Sequence, residues 1–177
     1  VLRNAHDLVV KPAEQPDWMA RLFGSDDMHL LRKCPCPVWL MKGEGETCYK
    51  RIVAAVDFEP NEPDPGEQAL NGEILALAGA LALADHAALH LVHAWDADEA
   101  GVVRLWSENP DIAEFMLVEH ERSQHRCGMD MLAQQLRGLI GREAYDQLSP
   151  HMHLLQGSAA RCIPKLIRRL SADLVVM

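Results

Sequence analysis

The chain has 177 residues, of which 49% are hydrophobic and 24% are charged, so disordered and fibrous classes are excluded and a folded, soluble protein is expected. Its net charge of -9 argues against binding to nucleic acid or to an anionic membrane surface, because both require a basic face. No segment approaches the roughly 18 consecutive apolar residues of a membrane-spanning helix. We therefore expect neither nucleic acid nor a membrane as a partner.

The five cysteines are scattered between positions 34 and 162. An odd number in a chain of this size is typical of free thiols in a reducing compartment. The N-terminal residues do not show a charged leader followed by an apolar segment. These features predict a cytoplasmic protein.

The first 42 residues have the pattern of two strands that flank a helix. The predicted order is a strand at 7–10, a loop at 11–17, a helix at 18–33 and a strand at 36–41. Pro35 and Pro37 cannot donate to a ladder, so the second strand should begin at a sheet edge. The small and charged residues 43–46 predict a linker, with a boundary near residue 45.

The segment from Arg51 to Val56 is almost continuously apolar and is followed by Asp57, which is typical of a parallel strand covered on both faces. Apolar residues then recur at helical spacing. They predict a helix whose core face is formed by Leu70, Ile74, Leu77, Ala78 and Leu81. A second strand is expected at 89–94, and an irregular stretch at 96–110.

A long helix is predicted at 111–139, with core contacts from Phe115, Val118, Met129, Leu132 and Leu136. The remaining elements are a strand at 151–156, a turn at Gly157, a helix at 159–170 with Ile163, Leu166, Ile167 and Leu170 in the core, and a strand at 173–177. Alternating strands and helices predict an α/β fold, an open parallel sheet with right-handed crossovers and helices on both faces. Such sheets bind ligands at the carboxyl ends of their strands.

Several segments resemble the universal stress protein family. Lys50–Asp57 (KRIVAAVD), the helix after it and Leu89–Ala94 (LHLVHA) are similar to the family's opening strand-helix-strand unit. Gly157 to Ile163 and Ala172–Met177 (ADLVVM) are similar to its third turn, third helix and fourth strand. The resemblance implies the Rossmann-like, adenine-nucleotide-binding fold of that family.

The N-terminal part resembles the end of another copy of the same domain. Asp7–Val10 (DLVV) repeats at 173–176, and His29–Pro35 (HLLRKCP) leading into Val38 is similar to the family's last helix and strand. The best match is to tandem, E-type members. The resemblance therefore implies that residues 1–42 are the C-terminal strand-helix-strand of a first repeat, that 43–48 are a linker, and that 49–177 are a second repeat without its last helix and strand. Both ends then suggest an internal slice of a longer protein.

By this resemblance, Ala55, Val56 and Asp57 correspond to the first-strand element that holds adenosine, and Ala94 to the residue that lines the base pocket. A local turn carboxylate is the alternative role for Asp57. In the first repeat, Gly24 and Ser25 match the end of the family's glycine-rich phosphate loop, but they also suit a helix N-cap.

The rest of that loop departs from the family pattern. Pro12 and Pro16 stand where earlier glycines are expected, and proline supplies no N–H donor to a phosphate. The matching loop of the second repeat would follow Met177. We expect at most a partly degenerate site for ATP or AMP with Mg²⁺.

Other chemical constellations carry less weight. Cys34 and Cys36 could bind a soft metal with His29, but a second ligand pair is missing and free thiols are favoured. His120 and His125 are five residues apart on a helix, so they are expected on different faces and in solvent. His151 and His153 share one strand face as a polar margin or a metal bridge, and His93 is expected to be a core histidine. The basic residues Arg161, Lys165, Arg168 and Arg169 are expected on a solvated helix face.

The predicted function is a non-catalytic stress-response module that binds a small molecule, possibly an adenine nucleotide. Residues 38–41 are expected to pair antiparallel with their equivalent in the other repeat or in a homodimer, since an exposed edge favours such pairing. One alternative is an enzyme of the related ATP-pyrophosphatase class, but residues 57–63 are acidic and lack the glycines of a pyrophosphate loop. The other alternative is a non-nucleotide ligand such as a lipid.

Overall fold

The computed structural model describes residues 7–13, 26–41, 48–97 and 109–177. The chain divides into two compact units, Val1–Thr47 and Cys48–Met177. None of the helices in the described ranges combines the length and the apolar character that a membrane span requires.

The first unit contains a helix and a pair of parallel strands. Its elements are β1 (Val9–Pro12), α1 (Asp26–Lys33) and β2 (Val38–Met41). The two strands are in register from Val9 opposite Val38 to Pro12 opposite Met41. The prediction of a loop beginning at Lys11 was wrong, because Lys11 and Pro12 belong to β1. Proline is tolerated there because the strand has a partner on one side only.

The second unit is a four-stranded sheet with helices on both faces. Its elements are β3 (Arg51–Ala55), α2 (Pro65–Asp85), β4 (Ala88–Trp95), α3 (Pro110–Ile140), α4 (Arg142–Leu148), β5 (His151–Gln156), α5 (Ala159–Leu170) and β6 (Leu174–Val176). The strand order is β5-β4-β3-β6, and every neighbouring pair is parallel. The predicted fold class, an open parallel α/β sheet, is therefore confirmed.

Side chains of β3 alternate between two cores, as a strand covered on both faces requires. Ile52 and Ala54 face a large core formed with α2 and α3, which includes Leu75 and Leu136. Val53 and Ala55 face a smaller core on the other side of the sheet. There they meet Ile163, Leu166, Ile167 and Leu170 of α5, as predicted from the sequence.

The ends of α2 are set by local signals. Asp64 precedes the helix, and its carboxylate accepts a hydrogen bond from the Gly66 backbone N–H at 2.8 Å. Pro65 occupies the first turn, where its missing N–H costs nothing. The helix stops at His86, which has a left-handed backbone with φ of 53°. These signals fix the length of the connection between β3 and β4.

The predicted core face of α2 was partly wrong. Ile74 and Ala78 are buried, but Leu70 and Leu77 are exposed, and Asn71 and Leu75 are buried instead. Apolar side chains surround this helix from residue 74 to 84, so apolar spacing does not define a single face.

The description of α3 needs two corrections. Met129, Leu132 and Leu136 are buried as predicted, whereas Phe115 is 66% exposed. Apolar periodicity shows which face of a helix is apolar, but it does not show where along 31 residues the packing begins. The short helix α4 was not predicted at all.

Candidate functional site

The topology places one edge of the sheet at a switch in strand order. The crossovers through α2 and α3 lead from β3 to β4 and on to β5, whereas α5 leads back to β6 on the far side of β3. Crevices at the carboxyl ends of strands beside such a switch are the usual ligand sites of open α/β sheets. Asp57 follows β3 at this edge.

The Asp57 carboxylate points into solvent, and its backbone is fixed by a buried amide. The side chain is 87% exposed. The Asp57 N–H donates to Asn71 Oδ1 at 3.2 Å, and Asn71 Nδ2 donates to the Asp57 carbonyl at 2.6 Å. Asn71 is only 3% exposed and lies on α2. The exposed carboxylate is therefore held by a rigid support that the sequence analysis did not identify.

A buried histidine pair lies directly behind Asp57. His93 on β4 and His125 on α3 are 2% and 4% exposed, and His93 Nε2 is 3.0 Å from His125 Nδ1. His93 Nδ1 is 3.3 Å from the Val56 carbonyl, which can only accept, so Nδ1 carries the proton and Nε2 accepts from His125. The prediction that His125 lies in solvent was wrong, whereas His93 is a core histidine as predicted.

Burial decides the charge of this pair. It lowers the pKa of both imidazoles, although the Val56 carbonyl partly offsets this for His93, as do Glu59 and Glu121 for His125. His93 Nδ1 lies 3.7 Å from Asp57 Oδ1, too far for a good hydrogen bond. A neutral His93 leaves the negative charge of Asp57 available to a ligand.

Phe58 closes the space between the histidine pair and α3. Its ring stacks on His93 with centroids 4.0 Å apart. It also lies so close to Gly128 that a Cβ atom at that position would be 2.1 Å from the ring. Gly128 therefore allows Phe58 to pack against α3, and the residue after Asp57 is anchored by an aromatic contact.

The predicted site residues have different environments. Ala55 and Val56 are buried, and the Val56 N–H donates to the Val92 carbonyl at 3.0 Å. Ala94 is partly exposed and lies opposite Leu155 in the sheet. Gly24 and Ser25 lie outside the described residues, as does most of the predicted linker at 43–48. Of these residues, only Asp57 presents a charged group at the edge.

A cleft of about 620 Å³ lies next to this edge, between the loop after β3, the start of α2 and the middle of α3. None of the predicted site residues lines it. Phe58, Met131 and Leu132 provide apolar walls, Glu59, Asp64 and Glu67 provide carboxylates, and the lining contains no Lys or Arg. An acidic cleft of this kind is unsuited to phosphate groups.

A second histidine cluster lies on the opposite face of the sheet. His90 Nδ1 is 3.0 Å from His153 Nε2, and the rings of His90 and His151 stack with centroids 4.8 Å apart. In the described ranges, no group of three or more His, Cys, Asp or Glu side chains is arranged to hold a metal. Burial and the neighbouring His153, His151 and Arg51 lower the pKa of His90 to about 4.

This lowered pKa predicts a loss of stability in mild acid. An unfolded histidine has a pKa of about 6.5, so below that pH the unfolded chain binds more protons than the folded one. Stability should be constant above about pH 6.5 and should fall as the pH drops towards the folded pKa of about 4. His93, His125 and His153 shift in the same direction and add to the fall.

Urea unfolding at about pH 7.5 and about pH 5 measures this effect. We expect a lower midpoint in acid and a smaller fall for His90→Leu, whereas the exposed control His120→Ala should behave like the original chain. Equal midpoints at both pH values, or no change of the pH dependence in His90→Leu, would contradict this assignment.

The fold, the strand switch and the carboxylate after the first strand of the large unit together define an α/β protein with a ligand-binding edge. A family model described as the universal stress protein family matches residues 48–177. The chain thus belongs to the universal stress protein family, which confirms the resemblance found in the sequence.

Its relatives are longer proteins. The chain is 31% identical to Universal stress protein E of Salmonella typhi over 179 residues and to that of Escherichia coli (strain K12) over 180 residues. All of the chain is matched, but it spans only 52% of the length of each relative. The crystal structure of a functionally unknown protein from Pseudomonas aeruginosa PAO1 superposes with a TM-score of 0.62 at 21% identity, covering 96% of this chain and 50% of that one. This last likeness concerns the fold alone.

Proposed function

We propose that this universal stress protein chain is a non-catalytic binding module of the stress response, whose large unit recognises the adenosine part of ATP or AMP through Asp57. The observation that carries the proposal is the exposed Asp57 carboxylate, fixed by buried Asn71 beside the strand switch. The scattered, unpaired cysteines support a cytoplasmic location.

The chemistry of the edge suits a nucleoside. A carboxylate accepts hydrogen bonds from ribose hydroxyls or from an adenine amino group, and such charged acceptors contribute about 1.5–3 kcal/mol each. The backbone groups of Val56 and Asp57 already have protein partners, so the carboxylate provides the specific contact. Mg²⁺ is usually held by one or two carboxylates together with substrate phosphates, and Asp57 could supply one such ligand.

The environment of Asp57 supports binding rather than catalysis. The titratable group next to Asp57 is His93. Both ring nitrogens of His93 are engaged, one by the Val56 carbonyl and the other by His125. An imidazole held in this way has no free nitrogen with which to take a proton from a substrate.

Isothermal titration of the 177-residue chain with adenosine, AMP and Mg²⁺–ATP tests the proposal. We expect saturable binding of all three ligands, and an affinity at least about tenfold lower for Asp57→Ala, which corresponds to about 1.4 kcal/mol. Asp130→Ala, which removes an exposed carboxylate of α3, is the matched control and should bind like the original chain. Binding that is absent, or equal in Asp57→Ala, would refute the site.

We infer in addition that the chain joins parts of two repeats. The parallel pair of β1 and β2 around α1, and a family match that begins at residue 48, support the assignment of residues 1–42 to the end of one repeat and 49–177 to the next. Within the described ranges β2 has one neighbour, β1, so its second edge could pair antiparallel with the equivalent strand of the other repeat or of a homodimer.

A non-nucleotide ligand is the alternative, and the cleft beside Phe58 is the place for it. Its apolar walls and carboxylates favour an uncharged or cationic amphipathic molecule over a phosphorylated one. Ligand binding at the cleft would leave Asp57 without a role.

A further inference from the structure

Two cysteines of the small unit lie in contact. The sulfur atoms of Cys34 and Cys36 are 3.6 Å apart, and one thiol donates a hydrogen bond to the other. A disulfide bond is about 2.05 Å long, so the sulfurs would have to approach by roughly 1.5 Å to form one. A movement of this size is within reach of small side-chain rotations.

The backbone on both sides of the pair is fixed. The Cys34 N–H donates to the Leu30 carbonyl at 2.9 Å, which continues the hydrogen bonding of α1 by one residue. The Val9 N–H donates to the Pro37 carbonyl at 3.0 Å, which holds the start of β2. Pro35, between the two cysteines, restricts its own φ angle to about -65°. The two thiols are thus brought together by the fold, and they do not depend on a chance encounter.

The pair is also open to reagents. Cys34 and Cys36 are each partly exposed, so a small disulfide can reach them. Cys48 and Cys127 are exposed as well, but the structure pairs neither of them with a second thiol in the way that it pairs Cys34 with Cys36. These two cysteines therefore serve as internal comparisons.

We propose that Cys34 and Cys36 form a reversible redox site that exchanges with low-molecular-weight disulfides of the glutathione type. The Cys34 thiolate attacks one sulfur of the oxidant RS–SR, forming a mixed disulfide and releasing the first RS⁻. The Cys36 thiolate then attacks the Cys34 sulfur, forming the Cys34–Cys36 bond and releasing the second RS⁻. Two electrons leave the pair and reduce one RS–SR to two RSH.

The order of attack follows from the surroundings of the thiols. Burial and the hydrogen bond with Cys34 raise the pKa of the Cys36 thiol. Cys36 is therefore the poorer nucleophile towards a reagent in solution. The second step is intramolecular, and the short distance between the sulfurs compensates there for a small thiolate fraction.

The arrangement of basic residues makes the product easy to identify. Tryptic cleavage after Lys33 and Lys42 yields a peptide, residues 34–42, that contains both cysteines. Cys48, Cys127 and Cys162 fall on three other peptides. A disulfide between Cys34 and Cys36 therefore stays within one peptide, and any other pairing that involves one of them links two peptides.

The experiment incubates the 177-residue chain with oxidised glutathione, blocks the remaining thiols with N-ethylmaleimide and maps the tryptic peptides by mass. We expect peptide 34–42 to lose two hydrogen atoms and to take up no N-ethylmaleimide, and dithiothreitol should restore both thiols. In Cys36→Ser, Cys34 should retain one glutathione, because the second step is removed. Cys34→Ser should carry much less glutathione at Cys36.

The same map contains the results that would overturn the proposal. Peptide 34–42 might take up two N-ethylmaleimide groups while Cys48 and Cys127 are already oxidised, or it might carry two glutathiones. Either result would mean that the pair is not an exchange site. A disulfide between Cys34 or Cys36 and a third cysteine would also exclude it.

Discussion

Replacing His93 by alanine is expected to lower the free energy of unfolding by about 3–5 kcal/mol. The imidazole is 2% exposed, stacks on Phe58 and bonds to both the Val56 carbonyl and His125. Its removal leaves a cavity next to the sheet and takes away the hydrogen-bond acceptor of buried His125. Urea unfolding of the variant measures the loss.

A double-mutant cycle with His125→Ala separates the hydrogen bond from the cavities. We expect a coupling energy of about 0.5–1.5 kcal/mol between the two positions, because they share one buried hydrogen bond. His120→Ala on the exposed side of the same helix is the control, and it should change stability by less than about 0.5 kcal/mol. Independent effects of His93→Ala and His125→Ala would be incompatible with the bonded pair.

Replacing Asn71 by leucine is expected to have the second largest effect, a loss of about 2–4 kcal/mol. Leucine has a similar volume, so the change removes the two hydrogen bonds to the Asp57 backbone and little packing. The loop after β3 then loses its support, and adenosine binding should weaken together with stability. Thermal or urea unfolding and the nucleotide titration measure the two effects separately.

Asn61→Ala is the control for this change, because Asn61 is an exposed residue of the same loop. It should keep both stability and affinity. A stability loss below about 0.5 kcal/mol for Asn71→Leu would mean that the Asp57 backbone does not depend on the amide.

Much of the fold could be predicted because its signals are local. The apolar strand before Asp57 and the strand at 151–156 were found from composition and from the residues that flank them. The helix at 159–170 was predicted with its exact bounds, since its apolar residues repeat at a single helical spacing. The core face of α2 was harder, because alanine and leucine occur on all of its sides.

The support of the candidate site could not be predicted, because it depends on contacts between distant segments. Asn71 is a polar residue in an apolar helix, and only the fold brings its amide to Asp57. His125 was judged by its distance from His120, but its position four residues before Met129 and seven before Leu132 places it on the core face. That spacing was a usable signal. The partner of His125 on β4 was not, since 32 residues separate it from His93.

The central claim is that adenosine binds at the edge formed by Asp57. The most direct test is an AMP titration of the isotopically labelled chain, followed through its backbone amide NMR signals. We predict saturable shifts at Ala55, Val56, Asp57 and Ala94 that are lost in Asp57→Ala. Shifts confined to Cys127 and Met131 would move the ligand to the acidic cleft, and the absence of any shift would mean that this edge does not bind the nucleotide.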